Sequence, residues 1–401
     1  MADRPASISS AEAPPGRPRL RLPATSPVRS AVAALRQAFA NDGIRRLGIS
    51  WMLGIAADGA LTVVTLVTVF NRGGVLAAGM LGAIRMIPAI IAGMSTGGLL
   101  ERFRGDRFLV VLGLVRALAA AGIAVTIATA GTRMDQKQVT MILLFFWSTV
   151  AAGAGAPVRP TQVTLMPAIA RSPGELVAAN TVWTTGEGLG AFVGPFIAGL
   201  LMAFNLHSGV AALAAVAFLL TAIIAAGLRF EHSADASGGS RAARRGFRFR
   251  EGVRAVLRRP VLAWTMLGTF GQVVTRGLLN ALTVAAAIEL LRMGQGGLGL
   301  LTAALGLGGL LGAFFAMASR RSERLIRNEL VSLVFWGLPL AIIGLVPLPE
   351  VAVAAMVVIG VANATYDVAL FTILQRSSSN EDRASVLSVL EGVIGFGAVA
   401  G

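Results

Sequence analysis

Cysteine is absent from the 401-residue chain, and histidine occurs twice, at His207 and His232. The first absence removes disulfides and thiolate metal sites; both histidines fall in predicted loops, so no His-based metal site or catalytic triad can be assembled and no cofactor is expected. Charge is scarce as well, at 14% of residues against 55% hydrophobic. The mean hydropathy of +0.74 lies outside the range of water-soluble domains, whose cores cannot absorb so much apolar surface. The first thirty residues lack an apolar stretch and are rich in Pro, Ser and Arg. They read as a cytoplasmic tail, not as a cleaved signal peptide.

What is present is glycine, 48 residues of it, together with alanine. Small residues let helix backbones approach closely in lipid. A bilayer core about 30 Å thick needs about 20 apolar residues at roughly 1.5 Å each. Eleven charge-bounded runs come near that length: Leu47 to Phe70, Val75 to Leu100, Phe108 to Gly131, Val139 to Val158, Leu176 to Phe204, Gly209 to Leu228, Val261 to Leu291, Leu298 to Ala318, Leu330 to Val346, Val351 to Leu374 and Ala384 to Gly401. Ahead of them, Ser26-Pro27 reads as an N-cap and first helical residue of an interfacial helix with Val32, Leu35 and Phe39 on one face.

The basic residues set the orientation, because cytoplasmic connections carry the excess of Arg and Lys. With the N-terminus inside, 28 of the 35 basic residues fall on the cytoplasmic side. The net charge of +15 is then a topology signal and argues against nucleic-acid binding. The richest connection, Arg229 to Pro260, holds Arg241, Arg244, Arg245, Arg248, Arg250, Arg254, Arg258 and Arg259 and separates six runs from five. The chain thus divides into a tail with an amphipathic helix (1–46), an N-terminal six-helix bundle (47–228), a basic central loop (229–260) and an incomplete C-terminal bundle (261–401). A long basic loop between two bundles is a secondary-transporter layout, with the site near the midplane. The eleventh run stops at Gly401, so a C-terminal truncation in about helix 11 is expected.

Several motifs carry a family resemblance. Gly97-Gly98-Leu99-Leu100-Glu101-Arg102-Phe103-Arg104-Gly105-Asp106-Arg107 resembles the loop signature of the major facilitator superfamily, with Arg104 where Gly is usual. Gly97, Glu101, Arg102, Arg104 and Arg107 form a candidate conformational latch, since an acid and several arginines at a helix end can pair with a neighbouring helix end. Gly190-Ala191-Phe192-Val193-Gly194-Pro195-Phe196-Ile197-Ala198-Gly199 is similar to the superfamily's exporter signature. Gly190, Gly194 and Gly199 give a smooth helix face, and Pro195 removes a backbone hydrogen bond. Leu165 to Ile169 and Leu176 to Asn180 resemble macrolide-efflux-like members. Arg276-Gly277, Ala286 to Leu291, Asp367-Val368-Ala369, Leu374-Gln375-Arg376 and Val389-Leu390-Glu391 resemble bacterial members with a cyclic-nucleotide-binding domain after the last helix. The resemblance runs from Leu47 onward and implies the two-bundle (6+6) fold, with spans 2 and 11, and 5 and 8, meeting across the halves on the seams Gly93 to Gly97, Gly397 to Gly401 and Gly308 to Gly312. One family feature is missing: Thr149 stands four residues before Gly153-Ala154-Gly155, where the family places Arg.

Six ionisable residues lie inside the runs: Asp58, Arg85, Arg116, Glu187, Arg276 and Asp367. Asp58 is about eleven residues into its span, or roughly 16 Å deep. Each such group needs a partner, a wet cavity or a function. The resemblance implies that spans 1, 4, 7 and 10 line the cavity, so Asp58, Arg276 and Asp367 would face the transport path, with an acid as proton carrier and Arg276 holding an anionic substrate or an acid. The competing reading is structural ion pairs, toward which Glu187 with Arg116 leans. The expected function is proton-coupled export of a small amphipathic molecule across the inner membrane by a monomer; the alternative is a membrane scaffold or sensor for an attached regulatory domain. Trp147, Trp183, Trp264 and Trp336 read chiefly as interfacial anchors. Nothing supports an enzyme.

Overall fold

The computed structural model describes residues 40–102, 104–130, 134–228, 249–318, 325–377 and 383–400. The interfacial helix expected from Ser26 and most of the basic central loop lie outside those residues. Among the described residues twelve α-helices follow in chain order: α1 Asp42–Arg102, α2 Gly105–Ala128, α3 Met134–Gly155, α4 Val158–Ile169, α5 Pro173–Ala203, α6 His207–Ala226, α7 Phe249–Leu257, α8 Pro260–Ala285, α9 Gly297–Ala318, α10 Leu325–Leu345, α11 Pro349–Ser377 and α12 Arg383–Ala400. Among the described residues seven helical stretches are long and apolar enough to cross a membrane, and the bent pair Pro260–Leu279 and Leu282–Leu290 makes an eighth.

The first two apolar runs form two legs of α1. At Gly74 the backbone leaves helical geometry, with φ 66° and ψ −164°, a conformation that only glycine adopts readily. Arg85 Nη2 on the second leg donates to Thr62 Oγ1 on the first at 3.3 Å. These residues stand nearly equidistant from Gly74, so the chain reverses there and the legs run side by side. Asp42 marks one side of the molecule, here called the tail side; Gly74 marks the far side.

The fourth span is longer than the sequence suggests. The run expected to end at Val158 breaks for two residues at Ala156-Pro157 and continues as α4, carrying Arg159 on a helix instead of in a connection. The chain enters α5 through a capping box: Ser172 Oγ accepts from the Glu175 amide at 3.2 Å, and Pro173 takes the first helical position. Glu175 Oε2 in turn accepts from the Arg171 amide at 2.8 Å and from Asn41 Nδ2 at 3.0 Å, tying the start of α1 to the start of α5. Directly after α8 the chain widens into a π-helix, Ala286–Leu290.

Close backbone approach explains much of the glycine. A methyl placed on Gly194 of α5 would lie 2.0 Å from the Ala56 carbonyl oxygen of α1, and one on Gly190 would lie 2.6 Å from the Met52 carbonyl oxygen. The exporter-like face is therefore a seam against α1 within the N-terminal half. At Gly199 the same helix meets the C-terminal half, where a methyl would touch the Gly296 carbonyl oxygen at 2.8 Å and Gly299 Cα at 3.1 Å. Spans 5 and 8 thus meet across the halves, on the far side, where Asn71 Nδ2 also donates to Gln295 Oε1 at 2.8 Å. The Gly308 to Gly312 seam faces elsewhere than expected. Added methyls there would lie 2.1 Å from the Val357 carbonyl oxygen and 2.7 Å from that of Val361, both on α11. That seam packs inside the C-terminal half; a neighbouring face of α9, through Gly306 against Ala191, meets α5. Gly397 packs against Val273 of α8.

The interior holds a large apolar cluster, including Val64, Val67, Ile123, Leu144, Phe218, Leu301 and Ile359, all fully enclosed or nearly so. Outside, Leu118, Val125, Ile142, Val216, Ile223, Val334 and Leu338 are exposed. A surface this apolar is stable in lipid and a liability in water.

Candidate functional site

Two groups of charged side chains sit within the helices. The first belongs to the N-terminal half. Arg116 of α2 forms an ion pair with Asp58 of α1; the arginine side chain is only 4% exposed, the aspartate 43%. The guanidinium also lies 4.0 Å above the Phe218 ring of α6, a cation–π contact in a desolvated place. Glycines make the room: a methyl on Gly54 of α1 would lie 3.7 Å from Arg116 Nη1, and one on Gly155 of α3 would lie 3.7 Å from Nε. The Gly-x-Gly of the fourth span, which lacks its own arginine, thus receives a guanidinium from the third. Arg85 lies near enough to Asp58 to feel its charge.

The second group lies between the halves. Glu187 of α5 sits 3.7 Å from Arg159 of α4. Both are partly open, with side-chain exposures of 33% and 61%. The sequence reading pairs Glu187 with Arg116; the structure gives Arg116 to Asp58 and Glu187 to Arg159, because α4 extends the fourth span toward α5. Arg159 also lies 5.0 Å over the Trp183 ring, which stacks on Trp51 at 4.6 Å and 11° and donates through Nε1 to Gln162 Oε1 at 3.3 Å. Trp183 is therefore part of the bundle's interior, not an interfacial anchor.

Across from this pair stands Asp367 of α11. Its charge environment includes Arg276 of α8 and, from the other half, Arg159 and Glu187. Asn363 Nδ2, one turn earlier, donates to Asp367 Oδ2 at 3.2 Å. The Asn363 amide oxygen accepts from Gln272 Nε2 at 2.9 Å and Trp336 Nε1 at 3.3 Å, so α8, α10 and α11 meet on one amide. Of the six intramembrane ionisable residues read from the sequence, Glu187, Arg276 and Asp367 come together with Arg159, while Asp58, Arg85 and Arg116 form their own group.

Arg159 escaped the sequence reading because it stands at the end of an apolar run, where charge normally marks a connection; Pro157, which breaks and restarts the helix, was the available signal. Glu329 of α10 escaped for the same reason. It is buried, and Thr265 Oγ1 donates to its Oε2 at 3.1 Å.

On the tail side, Arg104 forms an ion pair with Asp106 at 3.2 Å, and Arg107 is exposed. Arg104 Nε and Nη2 both donate to the Asp106 carboxylate, at 3.3 and 3.2 Å. The surroundings of Gly97 and the side chains of Glu101 and Arg102 lie outside what is described. Among the described residues no group of three or more His, Cys, Asp or Glu side chains could hold a metal ion.

The fold is similar to several solved transporters. A D-xylose-proton symporter superposes with a TM-score of 0.67 at 15% identity, over 89% of this chain and 88% of that one. The nucleoside transporter NupG gives 0.64 at 16% identity, over 89% and 88%. A bacterial homolog of the human lysosomal transporter Spinster, inward-facing and unoccupied, gives 0.62 at 14% identity, over 94% and 81%. No curated protein matches the sequence. The family model of the Major Facilitator Superfamily matches residues 47–401. The chain therefore belongs to the Major Facilitator Superfamily, as a multi-pass membrane transporter working by alternating access.

Proposed function

We propose that this transporter exports a small amphipathic molecule across the cytoplasmic membrane in exchange for protons, as a monomer with its N-terminus in the cytoplasm. The observation that carries the reading is the charged group spanning the two halves: Arg159 with Glu187 on one wall, and on the other Asp367, held by Asn363, with Arg276 near enough to act on its charge. Rocking the halves changes the distances across this gap. An acid that loses its arginine partner in a drying cavity favours the protonated form, and one that regains partner or water releases the proton. Asp367 is the proton carrier in this reading, Asp58 the second candidate, and Arg276 attracts an anionic substrate group or holds Asp367 ionised. The aromatic shelf of Trp51 and Trp183 supplies an apolar surface beside Arg159.

The backbone contacts between Gly199 and Gly296–Gly299 on the far side support a state closed there and open to the cytoplasm. The efflux direction rests on the resemblance of Gly190 to Gly199 to the exporter signature, and the sidedness on the arginine distribution. The latch role of Glu101, Arg102, Arg104 and Arg107 rests on the loop signature.

The test is dye transport in inside-out membrane vesicles under an imposed pH gradient, with a panel of fluorescent amphipathic dyes. Asp367→Asn is expected to abolish proton-driven accumulation and leave counterflow exchange intact. Full proton-driven accumulation in both Asp367→Asn and Asp58→Asn sinks the assignment of the proton to these acids, whereas a wild-type protein that accumulates none of the dyes favours a scaffold or sensor. Because the chain has no cysteine, single-cysteine labelling reads topology without background: Ser237→Cys is expected to label only from the cytoplasmic side and Pro347→Cys only from the other.

A further inference from the structure

Glu329 stands near the tail-side end of α10. It is 5% exposed, and its Oε1 is enclosed without a hydrogen-bond partner. Leu333, one turn further along α10, packs against an apolar cluster that includes Leu262 and Met266 of α8 and Tyr366 and Leu370 of α11. Gly268 of α8 leaves a nook: a methyl there would lie 3.7 Å from the Tyr366 hydroxyl and 4.0 Å from Glu329 Oε1.

Among the described residues the polar groups facing this acid are few. From α8 comes the Thr265 hydroxyl. From α11 comes the Tyr366 hydroxyl, shared with Thr269 Oγ1 at 2.8 Å; Asp367, the next residue, acts electrostatically on that same tyrosine. On its own helix Arg327 is exposed. Among the described residues no cation forms an ion pair with Glu329. An ionised carboxylate with one hydroxyl donor and no counter-charge is strongly disfavoured in such surroundings, whereas a neutral carboxyl is not.

We propose that Glu329 is a proton-binding site: its carboxyl carries a proton in this conformation and releases it when α8 and α10 part enough to admit water. Oε2 accepts from Thr265, and the proton on Oε1 occupies the nook beside Gly268. The C-terminal half then holds two acids in different settings, Asp367 on the Asn363 amide with arginines acting on it from further off and Glu329 among apolar side chains with one hydroxyl donor, which is how two carboxyls in one fold come to serve different roles. The proton on Glu329 ties occupancy to helix separation, independently of which way substrate moves.

The experiment uses the purified full-length protein in lipid nanodiscs. Infrared spectra at neutral pH are expected to show the C=O stretch of a protonated carboxyl that disappears in Glu329→Gln and survives Asp367→Asn. Thr265→Val, which removes the hydroxyl donor, is expected to shift that band to higher frequency. Thermal unfolding supplies a second readout. The folded chain keeps a proton that the unfolded carboxyl gives up above about pH 4.3, so wild-type stability falls as pH rises toward the value at which the folded site deprotonates. Glu329→Gln is expected to match wild type at the acidic end and to lack that fall. A spectrum unchanged by Glu329→Gln, or a variant that follows the wild-type pH profile, overturns the proposal. If Glu329→Gln fails to fold, the Thr265→Val band shift decides, and its absence counts against a neutral carboxyl. None of these readouts measures transport, so the export reading can fail while this one stands, and the reverse.

Discussion

In the N-terminal half, acids inside the bundle meet arginines directly: Asp58 with Arg116, Glu187 with Arg159. In the C-terminal half they are held by neutral donors. Asp367 accepts from Asn363, whose amide gathers Gln272 and Trp336, and Glu329 accepts from Thr265. An ion pair fixes both partners in their charged forms, and breaking it strands whichever one is buried. A neutral network carries a carboxyl in either protonation state with small rearrangement. The difference places rigidity in one half and titration in the other.

The largest expected effect tests the rigid half. Asp58→Asn leaves Arg116, at 4% side-chain exposure, without its counter-charge, and should destabilise the protein by about 3 kcal/mol in reversible unfolding from mixed micelles. The double variant Asp58→Leu with Arg116→Leu should recover most of that loss, since a buried pair replaced by apolar groups is close to neutral. Equal instability in single and double variants would show that the pair is not what the half relies on.

The titrating half should respond less, and selectively. Asp367→Asn keeps an oxygen for the Asn363 amide to reach and should cost about 1 kcal/mol or less. Asn363→Leu is the stronger probe. It strips partners from Gln272, Trp336 and Asp367 together, for about 2 kcal/mol in the same unfolding assay. If Asp367→Asn destabilised as much as Asp58→Asn, the contrast between the halves would collapse.

Much of this architecture is legible in the chain, because lipid imposes long apolar runs and the runs from Leu47 onward fall on the helices, the fourth excepted, which continues as α4 to Ile169. The failures share one cause. In the sequence a charge ends a span, so Arg159 and Glu329, each at a run's edge, fall in connections; in the structure both lie on helices that extend beyond the apolar run. Partner choice is also hidden: Arg116 could meet Glu187 or Asp58, and only the packing of α2 against α1 and α6 decides. Small-residue seams are visible, but their direction is not. Gly308 to Gly312 reads like Gly190 to Gly194, yet neither seam is the one that joins the halves at Gly199.

The smallest expected effect sharpens the contrast by pH. Glu175, at the tail-side start of α5, accepts from the Arg171 amide and then from the Asn41 side chain, and these bonds hold its carboxyl below the usual range. A lowered folded value means that its stabilisation is present above the unfolded carboxylate's value, about 4.3, and is lost as pH falls through the folded one. Acid should therefore loosen the joint between α1 and α5, while alkali loosens the C-terminal half if Glu329 holds its proton. Hydrogen exchange at the first amides of α5 should quicken below about pH 4 in wild type. Glu175→Gln, which keeps an acceptor but cannot titrate, should exchange slightly faster throughout and show no such step. A step of equal size in both proteins would mean that another group drives it, and the opposed pH responses of the two halves would lose their N-terminal arm.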